Sequence, residues 1–217
     1  MGPGNITPMS LITLSASYGA GGAVIGPAVA ERLGVPFLDR AIPVQVAEHL
    51  DVSVETAAAH DEEVTESFLD RVLRGFVAAD IGAPAPLPAE AFTSEDFRRA
   101  TEEILLRQAA TGEGVILGRA GAVILRDRPS VLRVRLDGPR EARIAQAMAL
   151  GNLDRETAER TQRQLDRAHA DYNRQFYDAD IRDPSLYHLL IDSTRIPIED
   201  CVELIVLASR AVTSSAG

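Results

Sequence analysis

The feature that most constrains this chain lies near its start. Leu11-Ile-Thr-Leu-Ser-Ala16 is a short apolar run rich in β-favouring residues, and it breaks at once into Ser17-Tyr-Gly-Ala-Gly-Gly22. A helical pattern follows, with Val24, Ile25, Ala28, Val29 and Leu33 on one period and Gly34 closing it. A buried strand, a glycine-rich turn and a helix in immediate succession point backbone N–H groups at one spot, with the positive end of the helix behind them. Glycines allow a phosphate to approach that backbone closely. Such a junction can also be a plain tight turn. Pro27 inside the helical stretch predicts a kink or break there.

The remaining chain alternates strand and helix patterns. Strands are predicted over Val35–Leu38, Gly114–Gly118, Val131–Leu136 and Leu186–Ile191. Helices are predicted over Ala41–Phe76, from Ser94 to about Ala110, from Pro139 to Leu150, over Asp154–Tyr177 and over Ile198–Ala211. Pro84, Pro86 and Pro88 make Ala79–Glu90 a stiff or disordered connector. Alternating strands and helices imply an α/β fold, with a parallel sheet covered by helices on both faces. Alternation in Val131–Leu136 places Arg133 and Arg135 on one face.

With 217 residues the chain suffices for one domain carrying an insert. Met1–Pro8 reads as a flexible leader without the basic and apolar regions of a signal peptide, and no apolar run has the length of a membrane span. The single cysteine, Cys201, excludes an internal disulfide, so a cytoplasmic setting is expected. The net charge of -10 argues against a nucleic-acid binder. The charge is uneven: Ala41–Asp70 has eight acids and no Lys or Arg, whereas Arg119–Arg182 has thirteen arginines against ten acids. That distribution suits a compact anionic ligand better than a long polyanion. All 22 basic residues are arginine, which excludes any lysine nucleophile, Schiff base or phosphate clamp. Gly22, Ala23 and Val24 stand where a full phosphate loop would carry its lysine, a small residue and a metal-binding hydroxyl. His60 beside Asp61, Glu62 and Glu63 has no second histidine at ligand spacing, so it reads as a solvated acidic run rather than a metal site.

With the loop placed, the chain from about Leu11 to Arg210 resembles the cytidylate kinase-like family. The resemblance is carried by Ile12-Thr-Leu-Ser-Ala-Ser-Tyr-Gly-Ala-Gly-Gly-Ala-Val-Ile25, Leu33-Gly-Val-Pro-Phe-Leu-Asp-Arg40 and Val115-Ile-Leu-Gly-Arg119. Leu136-Asp-Gly-Pro-Arg-Glu-Ala-Arg-Ile144, Asp166-Arg-Ala-His-Ala-Asp-Tyr-Asn-Arg174 and Asp183-Pro-Ser-Leu-Tyr-His-Leu-Leu-Ile-Asp-Ser-Thr194 complete it. Against the family pattern, Ala23 replaces a frequent arginine. Leu117 and Ala120 replace the aspartates that flank the Gly-Arg pair in cytidylate kinases.

The resemblance implies a P-loop nucleotide-kinase-like three-layer α/β/α fold with a five-stranded parallel sheet. One domain would span 9–217, with its core at 9–40, 111–150 and 184–213, a helical acceptor-side insert at 41–110 and a lid at 151–183. It implies transfer of the γ-phosphoryl of ATP, with Mg²⁺, to a nucleoside monophosphate such as CMP. Ser17, Tyr18, Gly19, Ala20, Gly21 and Gly22 would hold the donor phosphates. Arg119 would hold the acceptor phosphate, Asp39 and Arg40 would serve the acceptor side, and Arg167 and Arg174 would act from the lid. Arg160 and Arg163 share that helical face but read as solvated charge, and Tyr172, Phe176 and Tyr177 read as packing. Asp192-Ser-Thr194 would approach the adenine side or form a simple turn. No protein metal ligand, nucleic acid or membrane is expected; nucleotides are the expected ligands, and a homodimer is compatible with the sequence. Two other readings stay open: a nucleotide-binding sensor without catalysis, and a small-molecule kinase with a non-nucleotide acceptor.

Overall fold

A computed structural model describes residues 11–38, 94–118 and 120–215. The expectations for the leader 1–8, for Asp39 and Arg40, for the helix Ala41–Phe76 with His60, for the proline stretch Ala79–Glu90 and for Arg119 lie outside the described residues. Five strands, β1 (Leu11–Ala16), β2 (Phe37–Leu38), β3 (Gly114–Leu117), β4 (Val131–Asp137) and β5 (Leu189–Asp192), form one sheet in the order β2-β3-β1-β4-β5. Every pairing is parallel. The α-helices are α1 (Gly22–Leu33), α2 (Ser94–Thr111), α3 (Gly121–Ile124), α4 (Arg140–Gly151), α5 (Arg155–Tyr177) and α6 (Ile198–Ser215).

β1 is central because both its edges are paired: Leu11 lies opposite Gly114 on one side and Val131 on the other. A strand covered on both faces must be apolar in both registers, and the run Leu-Ile-Thr-Leu meets that demand. Ile12 and Leu14 join Val115, Leu132, Val134 and Leu136 beneath α1 and α6, whose Ile25, Val29, Val202, Ile205 and Val206 complete this core. The intervening residues face the other way. Leu11, Ile116 and Val131 pack with Ile104 and Leu105 of α2 and with Leu125. Each fully buried Leu or Ile contributes about 1.5–3 kcal/mol relative to exposure, so the two clusters hold the three layers together.

Some boundaries differ from those expected. α1 runs through Pro27 without a break, because Pro27 removes only the N–H that would reach Ala23 and its ring lies on the exposed side. β2 begins at Phe37 rather than Val35, since the Val35 N–H turns back to the Ala30 carbonyl. β5 begins at Leu189, because Pro184–Leu186 closes a 3-10 turn capped by Asp183. α3 was not expected; it follows Ala120 in a left-handed conformation (φ 53°) and lays Gly121 against Thr13. α6 continues four residues past Ala211, to Ser215. Among the described residues, no helix is long and apolar enough to cross a membrane.

Candidate functional site

The turn between β1 and α1 lies at the carboxyl edge of the sheet. It is held there by bonds to the ends of three neighbouring strands and to two helices. Ser17 N–H donates to the Leu136 carbonyl at 3.1 Å, and Gly118 N–H donates to the Leu14 carbonyl at 2.8 Å, so the strand ends on either side grip β1 as it leaves the sheet. Ala20 N–H turns back to the Ser17 carbonyl at 3.0 Å, and the Ser193 hydroxyl, 2% exposed, donates to the Ala20 carbonyl at 2.8 Å. Gly19 (φ 80°) and Gly21 (φ 75°) are left-handed, and a Cβ on Gly19 would lie 2.1 Å from the Arg143 carbonyl oxygen. α4 therefore packs directly on the turn, and no larger residue fits at Gly19.

Two buried arginines support this turn from outside it. Arg135 reaches the turn from β4, because the alternation that sends Val134 and Leu136 into the core sends it to the opposite face. It is 4% exposed. Its Nη1 donates to Ser15 Oγ at 3.2 Å, its Nη2 to Ser17 Oγ and to Asp137 Oδ2 at 2.9 Å each. The Tyr187 ring lies 5.8 Å from its Cζ. Arg143 comes from the first turn of α4. Its Nη1 donates to the Tyr18 carbonyl at 2.7 Å, its Nε donates to the Gly138 carbonyl at 3.1 Å, and it pairs with Asp166 at 2.9 Å and Asp137 at 3.4 Å. Asp166, on α5, accepts the Tyr18 N–H at 3.0 Å and a 2.6 Å bond from Gln162 Nε2. A buried cation is tolerated only with such paired charges and saturated donors.

Desolvation works to raise the Asp137 pKa, but the Gly138 N–H, Arg135 and the Ser17 hydroxyl outweigh it and leave this carboxyl below its usual value. Asp137 is thus held as an anion between two cations.

The arrangement leaves one set of donors unused. None of the hydrogen bonds among the described residues employs the N–H of Gly19, Gly21, Gly22 or Ala23. These groups open α1, where a fixed positive dipole adds to them. That donor set fits the oxygens of a bound phosphate chain. It fits a metal less well: Ala23 and Val24 supply no hydroxyl, and no cluster of three His, Cys, Asp or Glu occurs among the described residues.

The predicted site residues separate accordingly. Tyr18, Gly19, Ala20, Gly21 and Gly22 are brought into one turn, whereas the Ser17 hydroxyl faces Arg135 and Asp137. Arg167 and Arg174 lie on α5 and are exposed; Arg167, with 85% of its side chain in solvent, reaches Asp171 at 3.4 Å and no other acid among the described residues. Neither hydrogen-bonds the turn. Arg163 contacts Glu159 at 3.9 Å, in keeping with a solvated role. Tyr172 packs on Phe176 and Tyr177, with ring centroids 5.0 and 5.9 Å apart. Asp192-Ser-Thr194 is a turn, closed by Thr194 N–H and Oγ1 donating to Asp192 Oδ1. Asp39, Arg40 and Arg119 lie outside the described residues.

Sequence reasoning missed Arg135, Arg143, Asp166 and Ser193 as supports of the turn. Only Arg135 carried a readable sign: a charge inside an apolar strand must find buried partners.

Solved structures share this architecture at low identity. An uncharacterized protein from Eubacterium ventriosum ATCC 27560 superposes with a TM-score of 0.64 at 15% identity, covering 93% of this chain and 98% of that one. A gluconokinase from Sinorhizobium meliloti 1021 superposes with a TM-score of 0.50 at 13% identity, covering 96% of each. At these identities the likeness establishes the fold, that of the P-loop kinases. Comparison with curated protein sequences gives no match. The sequence model of the cytidylate kinase-like family, however, matches residues 11–195, from the first residue of β1 to the turn that closes β5. A match over so much of the chain shows that this protein belongs to the cytidylate kinase-like family.

Proposed function

We propose that this protein binds a nucleoside triphosphate on the β1–α1 turn and transfers its γ-phosphoryl group to a nucleoside monophosphate, CMP being the acceptor the family suggests. The observation that carries the reading is the set of four N–H groups, at Gly19, Gly21, Gly22 and Ala23, left unused among the described residues in a turn braced by three strand ends and two helices. Those donors would hold the phosphates of ATP and draw charge from them by hydrogen bonding, with no lysine needed for position. Mg²⁺ would supply electrostatic stabilisation of the charge on the transferring group. Since Asp137 is already tied to Arg135 and Arg143, the described turn offers the ion no unpaired carboxylate, and it would arrive coordinated by the nucleotide.

On this reading Arg119, between Gly118 and Ala120, fixes the acceptor phosphate as a two-pronged donor. Asp39 and Arg40 serve the acceptor side. Arg167 and Arg174 act only when α5 brings them inward, since both stand in solvent.

A coupled ADP-release assay with ATP, Mg²⁺ and a panel of nucleoside monophosphates, beside calorimetric titrations of the same ligands, tests the proposal. Turnover dependent on one monophosphate is expected. Arg119→Ala should then weaken acceptor binding by about 2–3 kcal/mol, the loss of charge-assisted hydrogen bonds. Tight nucleotide binding without turnover for any acceptor would make the protein a sensor instead. Absence of both would remove the nucleotide reading.

A further inference from the structure

Asp166 occupies an unusual position. It lies in the middle of α5, a helix whose main neighbour is α4, yet its carboxylate reaches across to the backbone of the phosphate-type turn. Tyr18 N–H is the donor it takes. The next unused donors in the chain are Gly19, Gly21, Gly22 and Ala23. One carboxylate therefore sits at the head of a run of N–H groups that suits an anion. Its other oxygen holds Arg143 Nη1 at 2.9 Å and Gln162 Nε2 at 2.6 Å, and Gln162 Oε1 in turn accepts from Arg140 Nε at 3.1 Å. The carboxylate is not sealed in: 24% of its side chain is exposed, whereas Arg143 is 9% exposed.

These contacts make α5 and the turn one unit through a single acid. An incoming phosphate chain would bring several negative charges to the same turn as Asp166. Like charges at such separation repel, and the Tyr18 N–H and the Arg143 fork can serve either anion. α5 is capped at its start by Asp154, whose side chain accepts the Thr157 N–H, and it ends at Asp178 in the left-handed conformation (φ 48°). Release of its mid-point contact would detach α5, which carries Arg160, Arg163, Arg167 and Arg174, from the turn and leave it held by α4 through contacts such as Gln162 with Arg140 and Arg155 with Glu141.

We propose that Asp166 is an internal anion that latches α5 to the β1–α1 turn in the nucleotide-free protein, and that nucleotide phosphate displaces it. The proposal rests on the nucleotide reading above and adds a regulatory contact to the same site. It accounts for two otherwise separate facts: the Tyr18 N–H is taken by a side-chain carboxylate whereas those of Gly19, Gly21, Gly22 and Ala23 are unused, and Arg160, Arg163, Arg167 and Arg174 face solvent. The latch couples occupancy of the turn to the freedom of α5. Removing its charge should therefore favour phosphate binding, by the reciprocity that any such coupling obeys.

The test is calorimetric titration of ADP into the wild-type protein and into Asp166→Asn, at one ionic strength. The variant keeps an oxygen to accept the Tyr18 N–H, and it loses the charge together with the second oxygen that accepts from Arg143 and Gln162. It is expected to bind ADP at least about 5-fold more tightly, the lower end of ordinary coupling between sites. Equal or weaker binding would overturn the latch and make Asp166 a fixed brace of the turn. ADP binding by the wild type without the gain in the variant thus defeats the latch alone; no binding to either protein defeats the nucleotide reading and the latch together. Should the variant fail to fold, carbon-13 labelling of the aspartate carboxyls of the wild type gives the answer. The Asp166 signal should move on addition of ADP, and an unmoved signal at saturation would overturn the proposal.

Discussion

The molecule uses arginine in two contrasting ways. At the β1–α1 turn, Arg135 and Arg143 are buried, each tied to several oxygens, and both come from elements adjacent to the turn in space but more than a hundred residues away in sequence. Along α5, Arg160, Arg163, Arg167 and Arg174 lie in solvent; among the described residues Arg163 and Arg167 each pair with an acid four residues away on the same helix, and Arg174 acts electrostatically on Asp180 just past its end. The first pair builds a shape. The second set offers charge that is not yet committed. Number and spacing of arginines do not separate the two uses; burial does, because a buried guanidinium must have all its neighbours arranged for it, while an exposed one is satisfied by water.

The comparison can be broken most severely at the point where α4 meets the turn. Gly19→Ala would set a methyl group against the Arg143 carbonyl oxygen at a position with φ of 80°. Both effects destabilise, by roughly 3 kcal/mol or more together, and urea denaturation should show the loss. Next comes the contrast between the two arginine sets. Arg143→Met should cost about 2–3 kcal/mol, below the full penalty for a buried ion pair because Asp137 and Asp166 keep some access to water. Arg167→Ala should change stability by less than about 0.5 kcal/mol. Equal effects from the two substitutions would dissolve the distinction.

The smallest expected effect concerns His188, where β4 meets β5. Desolvation, then the nearby Arg133 guanidinium, lower the imidazole pKa, and Nδ1 accepts the Arg133 N–H at 3.3 Å, which requires the neutral ring. The folded pKa lies below that of the unfolded chain, so the unfolded state binds more protons in this window. Stability from this group is therefore present above about pH 6.5 and lost as pH falls through the folded pKa. His188→Gln should flatten that part of the stability profile, measured by denaturation at a series of pH values.

Legibility in the sequence followed the range of the interactions. The central strands and long helices were readable because period-two and helical patterns are local, and so was the glycine turn. α3 was not, since four residues carry no period and its start depends on Ala120 adopting a left-handed conformation. Nor was the late start of β5, set by a capped 3-10 turn. At the site the turn itself was read directly. Its supports were not: the bonds of Tyr18 to Asp166 and Arg143 span 148 and 125 residues. Only the folded sheet, which places β4 beside β1, brings those partners together. The Asp-Ser-Thr end of β5 shows the intermediate case. Its turn was among the expected forms, while the reach of Ser193 to the Ala20 carbonyl was not.

Cys201 has a consequence for the molecule's own dynamics. Its side chain is fully buried in the core between α6 and α1, and burial, then Asp200, raise the pKa of its thiol. Being the only thiol in the chain, it cannot react with a water-borne reagent until α6 lifts from the sheet. The rate at which a thiol probe is consumed is therefore a built-in clock for the opening of that layer, one that needs no engineered label and ignores events confined to α5.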